Sequence, residues 1–405
     1  MPKILITGNG FDLGFNLPTS YDDFISILSY LEAHQTFNFH EIYSNCRNFE
    51  DLENSYSDSI EFSIEEITIL KEKLADNLWF QFFKNEKKID SWIDFENRIE
   101  YLLKLLISSI SKLKESIFSQ SPIDKSLKIY DSKTLNNNVV ALNVLDFFGI
   151  ISLRSRDNYA WHLKKEFLIE RYDFYIDINT DKIIEFLVSQ LDDFKLIFNS
   201  YFSLFVLPLY GKSKLNIESN FFNLIHYHFT FNYTPTFEKF YSTNVKTNYL
   251  HGKINSNVNN IVLGIDDLPE KVENRDLFFP FTKYYQKLNC DTDFHFLNEI
   301  KDIETSTTLT NYVFFFWGHS LDQSDKEYIN EVFDIVRDYK GRKNKIVIVY
   351  HSKSSKARLL QNLLKIRGKV DILKKMRQKK LIFCHLDSQE LKTEINRDIV
   401  ERITI

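Results

Sequence analysis

The sequence predicts an α/β fold, a Rossmann-like parallel sheet interrupted by a large helical insertion. Three observations carry that prediction. A short apolar run, Lys3-Ile4-Leu5-Ile6-Thr7, leads straight into a Gly8-Asn9-Gly10 turn, the opening of a strand–glycine turn–helix unit. From about residue 30 to 215, apolar residues recur every three or four positions. After residue 220 the period changes to short continuous runs rich in β-branched and aromatic residues, which suit strands buried on both faces. Residues 1–30 with 220–405 are therefore expected to form one Rossmann-like nucleotide-binding domain, and residues 31–219 a mainly helical insertion.

Taken in order, Thr19-Ser20-Tyr21-Asp22-Asp23 reads as a capped helix start. Phe95, Ile99, Leu102, Leu106, Ile110, Leu113 and Ile117 share one helical face, and Ile183, Leu187, Leu191, Phe194 and Phe198 repeat the pattern. Both stripes are core and carry no chemistry. Residues 131–138 read as a polar loop. Strands are expected at 225–231, 247–250, 260–263, 312–317, 345–350 and 380–384.

Composition narrows the function. The chain holds 51 basic and 56 acidic residues, net −5, so it lacks the basic surplus of a nucleic-acid binder. Its one cationic cluster, residues 374–380, reads as a solvated surface. Cys46, Cys290 and Cys384 form neither a disulfide framework nor a C-x-x-C zinc pair. The most lipophilic stretch, residues 196–209, is broken by Asn199, Ser200 and Pro208 and is too short to span a bilayer. A soluble cytoplasmic protein with no membrane partner and no metal is expected.

Glycine points to the site. Only 10 of 405 residues are glycine, against an average near 7%, and six (Gly8, Gly10, Gly14, Gly252, Gly264, Gly318) sit at or just after β-type runs. The turn Gly8-Asn9-Gly10-Phe11-Asp12 can offer bare backbone N–H groups to a phosphate. Asp12 suits ribose hydroxyls or a helix cap better than a pyrophosphate. Thr230-Phe231-Asn232 ends a strand with an amide able to hold a hydroxyl or water in one orientation. His251, in Leu250-His251-Gly252, can act as a neutral base near pH 7, and the glycine beside it leaves room for a ligand. Gly318-His319-Ser320-Leu321 ends another strand, with Ser324 and Glu327 as a capping box for the helix that follows.

The blocks Gly8-Asn9-Gly10-Phe11-Asp12, Leu17-Pro18-Thr19-Ser20-Tyr21-x-x-Phe24, Trp92-x-Asp94-Phe95-Glu96, Phe231-Asn232-Tyr233-Thr234, Leu250-His251-Gly252 and Gly318-His319-Ser320-Leu321-x-x-x-Asp325 resemble, in order and spread, the AbiH family of bacteriophage abortive-infection proteins. A more distant resemblance is to sirtuin-like NAD-cleaving domains. Gly8 and Gly10 with Leu17-Pro18, Thr230 with Asn232, His251-Gly252, and Gly318 with Ser320-Leu321 are similar to their successive blocks. Thr234 stands where that pattern has Asp, and the four-cysteine zinc module of the deacylases is missing from the sequence.

Together the resemblances imply an anti-phage protein that binds NAD and hydrolyses its nicotinamide glycosidic bond. Asn232 and His251 would be catalytic, and Gly8, Asn9, Gly10, Phe11, Asp12, Thr230, Gly318 and Ser320 would bind the nucleotide. Glu96, from the insertion, is a lesser candidate. NAD is then a substrate, and a phage-derived product is the expected trigger. The alternative is a non-catalytic nucleotide-sensing or phage-recognition module. A nuclease built on Asp12, Asp94, Glu96 and Asp322 ranks lowest, because their spacing forms no compact ligand set. The sequence leaves oligomeric state open, a homo-oligomer included.

Overall fold

The computed structural model describes residues 1–86, 89, 91–118, 123–124, 139–154, 160–172, 174–217, 222–241, 244–254, 260–269, 274–290, 296–298, 311–337 and 343–403. Its centre is a six-stranded parallel sheet. Numbering that sheet's strands along the chain, β1 is Lys3–Thr7, β2 Tyr227–Thr230, β3 Thr247–Tyr249, β4 Val313–Trp317, β5 Lys345–Tyr350 and β6 Leu381–His385. The spatial order is β3-β2-β1-β4-β5-β6, the doubly wound order of dinucleotide-binding sheets. The chain moves outward on one side through β2 and β3, then restarts on the other side of β1 with β4. The order thus reverses between β1 and β4, where open α/β sheets form their ligand crevice.

These runs become strands because both of their faces are covered. Ile4, Ile6, Phe314, Phe316, Ile346 and Ile348 pack on one side with Ile329, Val332 and Phe333 of the helix Lys326–Ile335. Leu5, Phe315, Val347 and Val349 pack on the other side with Phe11, Phe237, Leu391 and Ile395. Ile4, Leu5 and Ile6 are completely buried, each contributing roughly 1.5–3 kcal/mol relative to exposure. Register then aligns the carboxyl ends: Thr7 lies opposite both Thr230 and Trp317, and Thr230 opposite Tyr249. The loops carrying Gly8, Asn232, His251 and Gly318 leave the sheet side by side.

The residues between β1 and β2 form a second core. The helix Tyr21–Ala33 starts at the expected Ser20–Asp23 capping box. Trp92–Phe118 buries Phe95, Ile99, Leu102, Leu106, Ile110 and Leu113, and Thr180–Tyr201 buries Ile183, Leu187, Leu191, Phe194 and Phe198. The polar loop expected at 131–138 lies outside the described residues.

Three expectations change. The insertion also carries strands: Ile151–Arg154 pairs with Ala160–Leu163, and Leu168–Arg171 with Phe174–Ile178. Their alternation is only a few residues long, with Tyr175 and Ile178 buried and Phe174 exposed, and flanking helical patterns obscure it. The run 260–263 is no strand. Ile261, Val262 and Leu263 are buried, but the Gln286 side chain takes the place of a neighbouring strand, accepting from Leu263 N and donating to Leu263 O at 2.9 and 3.0 Å. This segment packs with the helical core, alongside Phe278 and Phe281. The cationic cluster is also not fully solvated: Lys375 is buried and donates to Val336 O at 2.9 Å. Among the described residues no helix is long and apolar enough to cross a membrane.

Candidate functional site

The glycine turn is closed by backbone packing. Gly8 N donates to Trp317 O at 3.3 Å, Gly10 N to Gly318 O at 2.8 Å, and Phe11 N to Gly8 O at 2.8 Å. A Cβ on Gly10 would lie 2.8 Å from Gly318 O. Gly318, at φ +66°, would place one 2.1 Å from Phe11 N. The glycines thus let the β1 and β4 loops touch; the N–H groups of Gly8 and Gly10, expected to face a phosphate, are spent on that contact, and that of Phe11 on Gly8 O within the turn. The helix that follows, Asn9–Leu13, is a single short turn. Asn9 donates to Thr19 O at 3.0 Å, where Trp92 Nε1 also donates at 2.9 Å. Phe11 is buried among Phe15 and Phe222.

Asp12 anchors a buried network on this loop. It is 1% exposed and accepts from Asn232 Nδ2 at 2.8 Å and from the Thr234 hydroxyl. Asn232 Nδ2 also donates to Gly8 O at 3.0 Å, so both amide protons are used. Thr230 Oγ1 accepts from Asn232 N at 3.0 Å and from Thr7 Oγ1 at 2.8 Å, and Thr7 Oγ1 meets His228 Nε2 at 3.0 Å. Burial pushes the Asp12 carboxyl up to about 7, against the hydrogen bonds from Thr234, Thr236 and Asn232. It does not cap the helix, whose N-cap is Gly8. An Asp in place of Thr234 would set two carboxylates against each other here.

His251 belongs to a second buried cluster. Its Nε2 lies 3.6 Å from Asp325 Oδ1, and His319 Nε2 lies 3.3 Å from Asp325 Oδ2. Burial first, then the Lys283 ammonium, holds His251 well below the usual histidine range and keeps it neutral. Burial would raise Asp325, but His319, 3.3 Å away, and the Lys283 charge outweigh it and hold the Asp325 carboxyl well below the usual carboxylate range. Lys283 Nζ pairs with Glu96 Oε2 at 2.7 Å, and both side chains are largely buried. Burial pushes Glu96 up to about 7, opposed by Lys283, while Asp266 is pushed up to about 6 by the same cause. Tyr233 stands over His251, ring centroids 6.3 Å apart. The room beside Gly252 is taken by the Asn260 carbonyl, 2.0 Å from where a Cβ would lie.

The two clusters abut at Gly8. Its carbonyl receives Asn232, and on the other side a Cβ there would sit 3.1 Å from His319 Cδ2. Gly8, Gly10, Asp12, Thr230, Asn232 and Gly318 thus share one network, whereas His251 is partnered by Asp325 and His319. Ser320 is half-buried, its backbone carbonyl accepting from Asn362 Nδ2 at 3.1 Å. The capping box expected at Ser324 does not form: the helix Lys326–Ile335 starts from Asp325 without a side-chain cap, and Asp322 caps only the short turn Gln323–Asp325, accepting from Ser324 N at 3.3 Å.

Sequence reasoning passed over Lys283, Asp266, His319 and Asp325. The last two lie in the block Gly318-His319-Ser320-Leu321-x-x-x-Asp325, which was signal enough. Lys283 carries none, because Glu96 is 187 positions away. Among the described residues no group of three His, Cys, Asp or Glu side chains is placed to hold a metal ion.

A family model described as "Bacteriophage abortive infection AbiH" matches residues 4–350, most of the chain and five of the six sheet strands. No curated protein and no solved structure matches it significantly.

Proposed function

We propose, from the premise that this chain belongs to the bacteriophage abortive infection AbiH family, that it binds NAD⁺ or a related nucleotide at the carboxyl edge of its sheet and hydrolyses the nicotinamide glycosidic bond. Phage abortive infection is what the family does; the nucleotide chemistry is our reading. The observation that carries it is His251, buried and neutral beside the ionised Asp325, on a strand end of a sheet with dinucleotide-binding order.

Nicotinamide leaves a cationic ribosyl pyridinium as a neutral molecule, so the leaving group needs no general acid. What the reaction needs is a base for water or a ribose hydroxyl and negative charge near an oxocarbenium-like ribose. His251 supplies the first and Asp325 the second. Glu96, brought from the insertion by the helix Trp92–Phe118, holds Lys283 beside them. Asn232 acts through its remaining acceptor Oδ1 and by fixing Gly8 and Asp12. Because the turn's N–H groups are engaged, the pyrophosphate contacts the outer surface of this loop and Ser320 the distal ribose.

The test is nicotinamide release from NAD⁺ by the purified full chain, with and without phage lysate. Release that His251→Ala abolishes supports the reading. Saturable NAD⁺ binding without release under either condition replaces it with a nucleotide-sensing module.

A further inference from the structure

We propose that Asp325, aimed by His319, is the positioning residue that makes His251 Nδ1 the base; this rests on the NAD-hydrolysis reading above. Three buried polar atoms without a hydrogen-bond partner converge here: His251 Nε2, His319 Nε2 and Asp325 Oδ1. Buried polar groups are normally paired, so three that meet no hydrogen-bond geometry at one place call for a reason. The three face one another, His319 and His251 at 3.3 and 3.6 Å from the two oxygens of Asp325, and so form one unit at the strand edge.

The geometry sets the protons. Leu321, at φ +53°, folds its N–H back onto His319 Nδ1 at 2.8 Å. That nitrogen is therefore the acceptor, and the His319 ring proton sits on Nε2, 3.3 Å from Asp325 Oδ2. The other carboxylate oxygen faces His251 Nε2 at 3.6 Å. An anion there favours the tautomer with the proton on His251 Nε2, leaving the lone pair on Nδ1. No helix cap competes for the Asp325 carboxylate, which precedes the helix Lys326–Ile335 but makes no capping bond to it. The titratable and charged groups around His251 are Asp325 and His319 from the β4 loop and Lys283 and Lys287 from the helix Lys283–Cys290, with Glu96 and Asp266 acting on Lys283.

In the step itself, the water oxygen bonds to the ribose C1′ as the bond from C1′ to the nicotinamide nitrogen breaks, its electron pair leaving on that nitrogen. The water proton passes to His251 Nδ1, and Asp325 stabilises the imidazolium until the proton returns to solvent. NAD⁺ and water thus give nicotinamide, ADP-ribose and a proton.

The experiment uses the full chain labelled with ¹⁵N-histidine, as wild type and as Asp325→Asn, Asp325→Glu and His319→Gln. Wild-type His251 is expected as the Nε2–H tautomer, with that preference lost in Asp325→Asn and kept in Asp325→Glu. In parallel, kcat for nicotinamide release falls about 100- to 10,000-fold in Asp325→Asn with KM little changed. The acid limb of its pH profile moves to lower pH, because the charge that raised the His251 pKa is gone; His319→Gln keeps that charge, so its kcat falls more weakly and its acid limb does not move to lower pH. An unchanged tautomer or an unmoved acid limb in a folded Asp325→Asn protein overturns the proposal. If wild type releases no nicotinamide, the hydrolysis reading fails on its own, and the tautomer measurement still decides the Asp325–His251 pairing.

Discussion

Replacing Gly318 by alanine tests whether the β1 and β4 loops are held together by backbone contact. Two costs add at this position. An L-residue at φ +66° bears roughly 1–2 kcal/mol of steric strain. The new Cβ, 2.1 Å from Phe11 N and 2.4 Å from Gly10 C, must push the loops apart, an overpacking cost of about 1–3 kcal/mol. The total is about 2–5 kcal/mol, which at about 2 °C per kcal/mol for a large domain lowers Tm by roughly 4–10 °C. Gly368 is the built-in control. It has φ +76° and ψ 159° but nothing within 4 Å of its Cβ position, so Gly368→Ala carries backbone strain alone, about 1–3 kcal/mol or roughly 2–6 °C. Thermal melting of both variants, followed by circular dichroism, separates the two contributions. Equal shifts in the two variants would show that loop contact contributes nothing and would refute the account of the glycine turn.

Three further outcomes are expected. Asn232→Ala removes one of the two donors to Gly8 O, which keeps Phe11 N, and one donor to Asp12, which keeps the Thr234 hydroxyl, and should cost about 1–3 kcal/mol for the two bonds together in a urea titration; His251→Ala should leave the protein folded while abolishing nicotinamide release. Asp12 has a folded pKa of about 7 against 3.8 unfolded, so the native state keeps a proton that the unfolded chain loses. Its contribution therefore falls as pH rises through that window, by up to about 1.4 kcal/mol per pH unit, and the stability difference between wild type and Asp12→Asn should change with pH there; parallel curves would contradict this. Removing one member of the buried Glu96–Lys283 pair should cost about 3–5 kcal/mol, and the double variant Glu96→Gln/Lys283→Met less than the sum of the singles. Strict additivity would mean the two groups do not interact.

The fold class was legible because a buried parallel strand must be apolar on both faces, and Lys3-Ile4-Leu5-Ile6-Thr7, residues 312–317 and residues 345–350 say so locally. The helical stripes of Trp92–Phe118 and Thr180–Tyr201 were equally plain, since each needs only a repeat of three to four residues. Residues 260–263 were misread because an apolar run reports burial and says nothing of its hydrogen-bond partner, which here is the Gln286 side chain. The short strands within 151–178 were lost for a related reason, being too brief to stand out beside long helices.

For the site, sequence alone picked out segments that the fold brings to neighbouring strand ends. Glycine is scarce, so a glycine at a strand end has a geometric cause that survives without any knowledge of contacts, and Gly8, Gly10 and Gly318 do meet. Only the tertiary structure decided what they meet for. Backbone packing took the N–H groups reserved for a phosphate, Asn232 gave its amide protons to Gly8 and Asp12, and His251 drew Asp325 and His319 as partners, with Lys283 and Glu96 beside them. Pairings across 187 to 224 positions depend on strand order and register, which arise from the whole sheet closing at once and leave no trace in any single window of the chain.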